Sequence, residues 1–302
     1  MKQRFALALA GAGLLAATAV PATAVPAAVG PQQSLKAVAD ACNSRVGWVT
    51  PTGVMRHAAV QATKPPTAHQ WTDVKFVGTR AAGTWYIFSG GPGILYYYGL
   101  FLQSGNLYRH KTTLHPSGAM TPTATKVGSG WTSFKTIATS SHTFRAPRHA
   151  YLYGLNANGS LYRYAQVGTG LKPLGSFAGF RSFKAMTVVS ETPTYDTLLM
   201  TTTAGALYTV RIPVAATTKP VLKLIRSTGF AQYEALTINS CGARGGSLIN
   251  AVDHDTDTGY QFAFSKFTGA TTAMTTLGKI PAVFNGVTTF GFGAYSEQLS
   301  SE

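Results

Sequence analysis

Charge is scarce in this 302-residue chain and acidic charge scarcest: 12% of residues are charged, and only 10 are carboxylates against 25 Lys and Arg. A hydrolase or lyase needs a clustered acid–base pair, and here only Glu191, Asp196 and Glu234 offer themselves, by default rather than by spacing. Catalytic signatures are missing too. There is no HExxH, no pair of histidines at helical ligand spacing and no GxSxG. The seven histidines (His57, His69, His110, His115, His142, His149 and His254) are scattered along the chain. Neither catalysis nor a cofactor is expected. Past residue 20 no apolar run approaches the 18 or so residues that span a bilayer, so no membrane span is expected. Sustained 3.6-residue periodicity is also lacking, while 32 Gly, 14 Tyr and 16 Phe supply residues of pleated sheets and tight turns. The class is all-β.

Residues 1–24 run from Lys2 and Arg4 through the apolar stretch Phe5 to Val20 to Ala22-Thr23-Ala24, the order of a secretory signal peptide. A secreted, extracellular protein is expected. Residues 25–41 form a Pro- and Ala-rich lead-in with no motif, and residues 42–302 form one folded domain. Without Lys2 and Arg4, 23 basic residues against 10 acidic leave a balance of +13. Such a surface favours anionic partners such as cell-wall polymers, although net charge alone also serves solubility. The basic residues are dispersed rather than run together, so nucleic acid is not the expected partner.

One stretch, Tyr151 to Tyr164, reads as a β-hairpin: two aromatic-rich runs around turn residues Asn156, Asn158 and Gly159. Its second run recurs from Val54, Leu107, Leu161, Leu207 and, more loosely, Tyr260. An independent landmark, an aromatic followed three places on by an apolar residue, recurs at Trp71, Trp131, Phe180, Phe230 and Phe284. Both landmarks repeat about every 50 residues, a length that holds four strands, and four-stranded repeats of this size are β-propeller blades. The landmark aromatics are expected in the core. The chain enters at a hairpin without its aromatic strand and leaves at Phe284 to Tyr295 with an aromatic strand but no hairpin. These fragments complement each other, which predicts a single five-bladed propeller closed by the C-terminal strand joining the N-terminal blade. Cys42 and Cys241 fall on adjacent blades at that closure, and a disulfide between them is expected; two free buried thiols are the alternative.

The forms Trp131-x-x-Phe134 and Tyr153-x5-Gly159-x-Leu161-Tyr162-Arg163, with its counterpart ending Gly105-Asn-Leu-Tyr-Arg109, resemble the tachylectin-2 family of five-bladed propeller lectins. The resemblance spans Cys42 to Tyr295 and implies binding of N-acetylated amino sugars at sites between blades. Sugar binding needs an aromatic face and planar hydrogen-bonding groups around it. Tyr98, Asn106, Arg109, Tyr153, Asn156, Asn158 and Arg163 are the candidates, against the alternative that the tyrosines pack between blades and Asn158-Gly159 only makes a turn. The segment Asp253-His-Asp255-Thr-Asp257 opens like a calcium loop but lacks its glycine and bidentate Glu, which favours a hairpin turn. The function expected is non-catalytic carbohydrate binding, lectin-like, with amino sugars such as N-acetylglucosamine or cell-wall glycans as partners. The alternative is an interaction scaffold for protein or anionic polymers.

Overall fold

A computed structural model describes residues 42–75, 79–143, 145–215, 219–241, 246–294 and 298–302, so the signal and lead-in segments lie outside the described residues. Within them the chain is all β, with 21 strands and no helix. Three sheets are simple antiparallel meanders. The third sheet of the chain holds β9 (Phe134–His142), β10 (His149–Asn156), β11 (Leu161–Val167) and β12 (Gly170–Phe177). The fourth holds β13 (Phe183–Glu191), β14 (Tyr195–Thr202), β15 (Leu207–Pro213) and β16 (Val221–Arg226), and the fifth β17 (Ala235–Ser240), β18 (Ser247–Asp253), β19 (Thr258–Phe264) and β20 (Met274–Lys279). The second sheet has its first strand in two pieces, β4 (Thr79–Ala82) and β5 (Trp85–Gly91), which pair with different parts of β6 (Ile94–Gln103), followed by β7 (Asn106–Leu114) and β8 (Met120–Ser129). The first sheet is β1 (Asn43–Val49), β2 (Val54–Gln61) and β3 (Thr67–Lys75), completed by the distant β21 (Thr288–Ala294). β21 pairs antiparallel with β1, Val46 opposite Gly291, as the complementary end fragments predict. It also runs parallel to β5 through Phe292 and Trp85, which joins the first and second sheets.

The first strands of the sheets touch in cyclic order: β4 meets β9, β9 meets β13, β13 meets β17, β17 meets β21 and β21 meets β4. They surround a cavity of only about 20 Å³, room for a water but not a ligand. The apolar residues form layers between successive sheets. Leu100, Leu102 and Leu107 meet Ile137 and Leu152 between the second and third. Tyr153, Leu155 and Leu161 meet Leu198, Met200 and Val210 between the third and fourth. Leu199 and Leu207 meet Ile249 and Phe264 next, Val252 and Phe284 meet Val46 and Trp48 between the fifth and first, and Val49 and Met55 meet Trp85 and Phe101. The inner strands of each sheet are thus buried on both faces, while outer strands such as β8 and β16 stay largely exposed.

The aromatic landmark works as a wedge that ties each sheet to the one before. The backbone N–H of Trp131 donates to Gly105 O at 2.9 Å, that of Phe180 to Gly159 O at 2.8 Å, that of Phe230 to Gly205 O at 3.0 Å and that of Phe284 to Asp257 O at 2.9 Å. Every acceptor lies in the hairpin turn of the preceding sheet. Gly130, Gly179 and Gly229, just ahead of three of these aromatics, have φ of 82°, 95° and 98°, a left-handed turn that glycine enters without a Cβ penalty. Trp131, Phe180, Phe230 and Phe284 are all buried, as expected.

Trp71 is a correction. It sits on the outermost strand β3 and is 40% exposed. Its spacing of 60 residues to Trp131 was already the longest in the series, because it belongs to the end of one sheet and not the start of the next. Counting back from β9 to β4 puts the corresponding place at Phe76, which lies outside the described residues.

Cys42, immediately before β1, is bonded to Cys241, immediately after β17, across 199 positions of sequence. The bridge joins the fifth sheet to the first, beside the β1–β21 pairing.

Candidate functional site

Strong alternation along β5 and β6 builds one aromatic wall. Tyr86 and Phe88 share a face of β5, Tyr96 and Tyr98 share the same face of β6, and Tyr86 stands opposite Tyr98 and Phe88 opposite Tyr96. Phe88 and Tyr96 have ring centroids 5.2 Å apart. This wall faces the third sheet across a cleft of about 410 Å³ lined by Tyr86, Phe88, Tyr98, Ser141, Thr143, Ala150 and Gln166. Its far side is polar. Gln166 donates from Nε2 to Tyr151 O at 3.3 Å, and the Thr143 hydroxyl is buried with no hydrogen-bond partner among the described residues. Cations sit at the rim: the Lys111 ammonium lies 4.0 Å from the Tyr96 ring centroid and the Arg109 guanidinium 5.7 Å from that of Tyr98. Among the described residues no carboxylate lines the cleft.

Of the seven candidate residues, Tyr98 and Arg109 are at this cleft. Arg109 spans it, donating to Thr169 O at 2.8 Å and Gly168 O at 3.5 Å on the third sheet. Arg163 makes the equivalent crossing one sheet later, to Pro213 O at 2.6 Å, and is buried between Tyr151 and Phe177. Tyr153 is fully buried, its hydroxyl donating to Asp196 Oδ2 at 2.8 Å. Asn156 and Asn158 fold their side-chain carbonyls back to accept from Asn158 N–H and Ser160 N–H, and Asn106 donates to Ser104 O. Those five serve turns and inter-sheet packing. The residues that sequence reasoning missed are Tyr86, Phe88 and Tyr96. The period-two pattern in Trp85-Tyr-Ile-Phe88 was the available signal, hidden because the first strand of this repeat was placed at Trp71.

Behind the wall at Ser141 lies a buried polar cluster between the third and fourth sheets. Asp196 is fully buried and accepts hydrogen bonds from Ser140 Oγ at 2.6 Å, Tyr153 OH at 2.8 Å and the His149 ring at 2.9 Å. Glu191 stands opposite Asp196 in the β13–β14 register and accepts from Ser141 N–H at 2.8 Å. Burial pushes the Glu191 carboxyl up to about 8, and the Asp196 charge adds to that. Gln298 touches the His142 ring and donates to Glu191 O, and burial lowers the His142 pKa. The default acids Glu191 and Asp196 are therefore together, while Glu234 is apart, paired with Lys184 at 2.8 Å. In the Asp253 segment the Asp253 carboxylate accepts from Asp255 N–H and Thr256 N–H at 3.0 and 3.1 Å, a carboxylate that caps its own hairpin turn. Among the described residues no cluster of His, Cys, Asp and Glu is arranged to hold a metal.

No protein-family model matches the chain, and no curated protein matches it. Solved structures do show likeness. A fungal lectin from Aleuria aurantia, described as a six-bladed β-propeller with a novel fucose recognition mode, is 12% identical over 80% of this chain and 78% of its own, with a TM-score of 0.45. SapL1 lectin in complex with α-methyl fucoside is 12% identical over 79% and 81%, TM-score 0.40. The catalytic domain of a Coprinopsis cinerea GH62 α-L-arabinofuranosidase is 12% identical over 66% and 68%, TM-score 0.43. At this distance they bear on neither the ligand nor the number of blades.

Proposed function

We propose that this chain is a secreted, single five-bladed β-propeller that binds carbohydrate without transforming it, in the cleft between the second and third sheets. The cyclic contacts of the first strands and the apolar layer between every successive pair of sheets support the propeller. The basic, apolar, small-residue order of residues 1–24 supports export.

The observation that carries the binding function is the stepped wall of Tyr86, Phe88, Tyr96 and Tyr98 facing hydroxyl and amide groups across 410 Å³. That size lies within the roughly 300–1,000 Å³ of small-molecule sites. A pyranose presents an apolar face of C–H groups that stacks on tyrosine and a rim of hydroxyls that needs Ser, Thr and Gln partners. Binding without chemistry fits a cleft free of carboxylates among the described residues, with Glu191 and Asp196 committed to donors behind its wall. The resemblance to tachylectin-like lectins makes N-acetylglucosamine the first neutral sugar to try. A glycan array followed by calorimetry tests this, using wild type and the variants Tyr86→Ala and Tyr98→Ala. Binding that falls at least about tenfold in both variants supports the cleft, by analogy with the 1–3 kcal/mol of aromatic stacking. A protein that binds no glycan, or binds equally with both tyrosines removed, rules it out.

A further inference from the structure

The second and fourth sheets repeat one another around their outward clefts, and one of the two clefts is filled. Tyr98 pairs with Lys111 across β6 and β7, and Thr197 pairs with Arg211 across β14 and β15. Two residues earlier stand Tyr96 and Tyr195, and in both sheets the cation lies on that ring, Lys111 at 4.0 Å and Arg211 at 4.1 Å. Both faces look toward the next sheet, through Leu100 and Leu107 in one case and Leu199 and Leu207 in the other.

In the fourth sheet the cation is engaged by segment 298–302, which crosses between the fourth and fifth sheets through Ser301 N–H to Val189 O and Phe267 N–H to Ser301 O. The Glu302 carboxylate accepts from Thr197 Oγ1 at 2.5 Å and from Arg211 at 3.0 Å. The intervening cleft also encloses a carboxylate: Asp196 accepts from His149, two residues before Tyr151, which holds the register place of Tyr98. Between the second and third sheets the cation is present and exposed, and among the described residues no carboxylate reaches Lys111.

We infer that this cleft selects sugars carrying a carboxylate, of the uronic acid class, with the carboxylate on Lys111 as Glu302 is on Arg211 and the ring on Tyr98 and Tyr86. The inference rests on the saccharide reading of the cleft and adds a charge requirement to it. Arg109 strengthens the field although its own donors are held by Thr169 and Gly168.

Calorimetry with three probes decides it: tetragalacturonate, its fully methyl-esterified form, and chitotetraose as a neutral N-acetylated sugar. Each is titrated into wild type, Lys111→Met and Tyr98→Ala, with thermal melts to show that the variants are folded. The acid should bind wild type about two- to fivefold more tightly than either neutral probe, the scale of one exposed ion pair. Lys111→Met should abolish that preference while leaving the neutral probes unchanged. Equal binding of acid and ester by wild type, or a preference that survives Lys111→Met, overturns the charge requirement. In that case binding lost in Tyr98→Ala still upholds the saccharide cleft. If none of the three probes binds, the saccharide reading falls and the inference with it.

Discussion

Replacing Glu191 by Gln should flatten the decline of stability on the alkaline side of neutrality. Glu191 is 3% exposed, and its burial, with Asp196 opposite, moves its pKa from an ordinary 4.5 to about 8. Between those values the folded protein keeps a proton that the unfolded chain releases, so stability falls as pH rises, by about 1.4 kcal/mol per unit. His110 works in the opposite sense at lower pH. Burial lowers it to about 4, so the unfolded chain binds the extra proton and stability rises with pH up to about 6.5. The buried His142 and the half-buried His254, also lowered by desolvation, act in the same direction. The histidine titrations of the unfolded chain, half complete at pH 6.5, are common to both proteins and cancel in the difference between them, which leaves Glu191 alone among these groups. From pH 6.5 to 8 the wild type should lose about 1.6 kcal/mol relative to the variant, the slope tapering as pH nears 8. Gln keeps the acceptor for Ser141 N–H and carries no proton to lose. Urea unfolding at pH 6.5, 7.2 and 8 measures both proteins; wild-type and variant curves that run parallel would show that Glu191 is ionised in the folded state and refute the reasoning.

Three further outcomes follow from the packing. Asp196→Ala leaves the Ser140, Tyr153 and His149 donors buried without an acceptor and should cost about 3–5 kcal/mol in urea unfolding. Replacing both Cys42 and Cys241 by Ser frees a 199-position span and should cost up to about 5 kcal/mol by chain entropy, read by denaturation with and without reductant on the wild type. Trp131→Ala, in the layer between the second and third sheets, should cost about 3–5 kcal/mol, whereas the exposed Trp71→Ala should cost under about 1 kcal/mol. Equal losses would restore Trp71 to the core.

Much of the fold was legible because repetition amplifies weak local signals. The hairpin expected over Tyr151 to Tyr164 is the β10–β11 pair, with Leu152 opposite Tyr164, and the incomplete ends of the chain pointed to the β1–β21 pairing. The site was less legible for a physical reason. Arg109 and Arg163 recur because each clasps its sheet to the next, and Asn158 closes its own turn, so recurrence marked structure. The cleft is where the repeat departs from itself: the second sheet splits its first strand at Gly83-Thr84 and brings Tyr86 and Phe88 beside Tyr96 and Tyr98. Tyr97, between two wall residues, points the other way into the layer with Phe292, which only the register reveals. Distant contacts such as Glu191 beside Ser141 carry no sequence signature.

The central claim is that the cleft between the second and third sheets is where a saccharide binds. Amide chemical-shift mapping during titration with the tightest glycan tests it most directly. Shifts should concentrate at Tyr86, Phe88, Tyr98, Ser141, Ala150 and Gln166, and be absent from the fourth–fifth cleft that segment 298–302 fills. Saturable shifts confined to another pair of sheets, with these six residues unmoved, would contradict it.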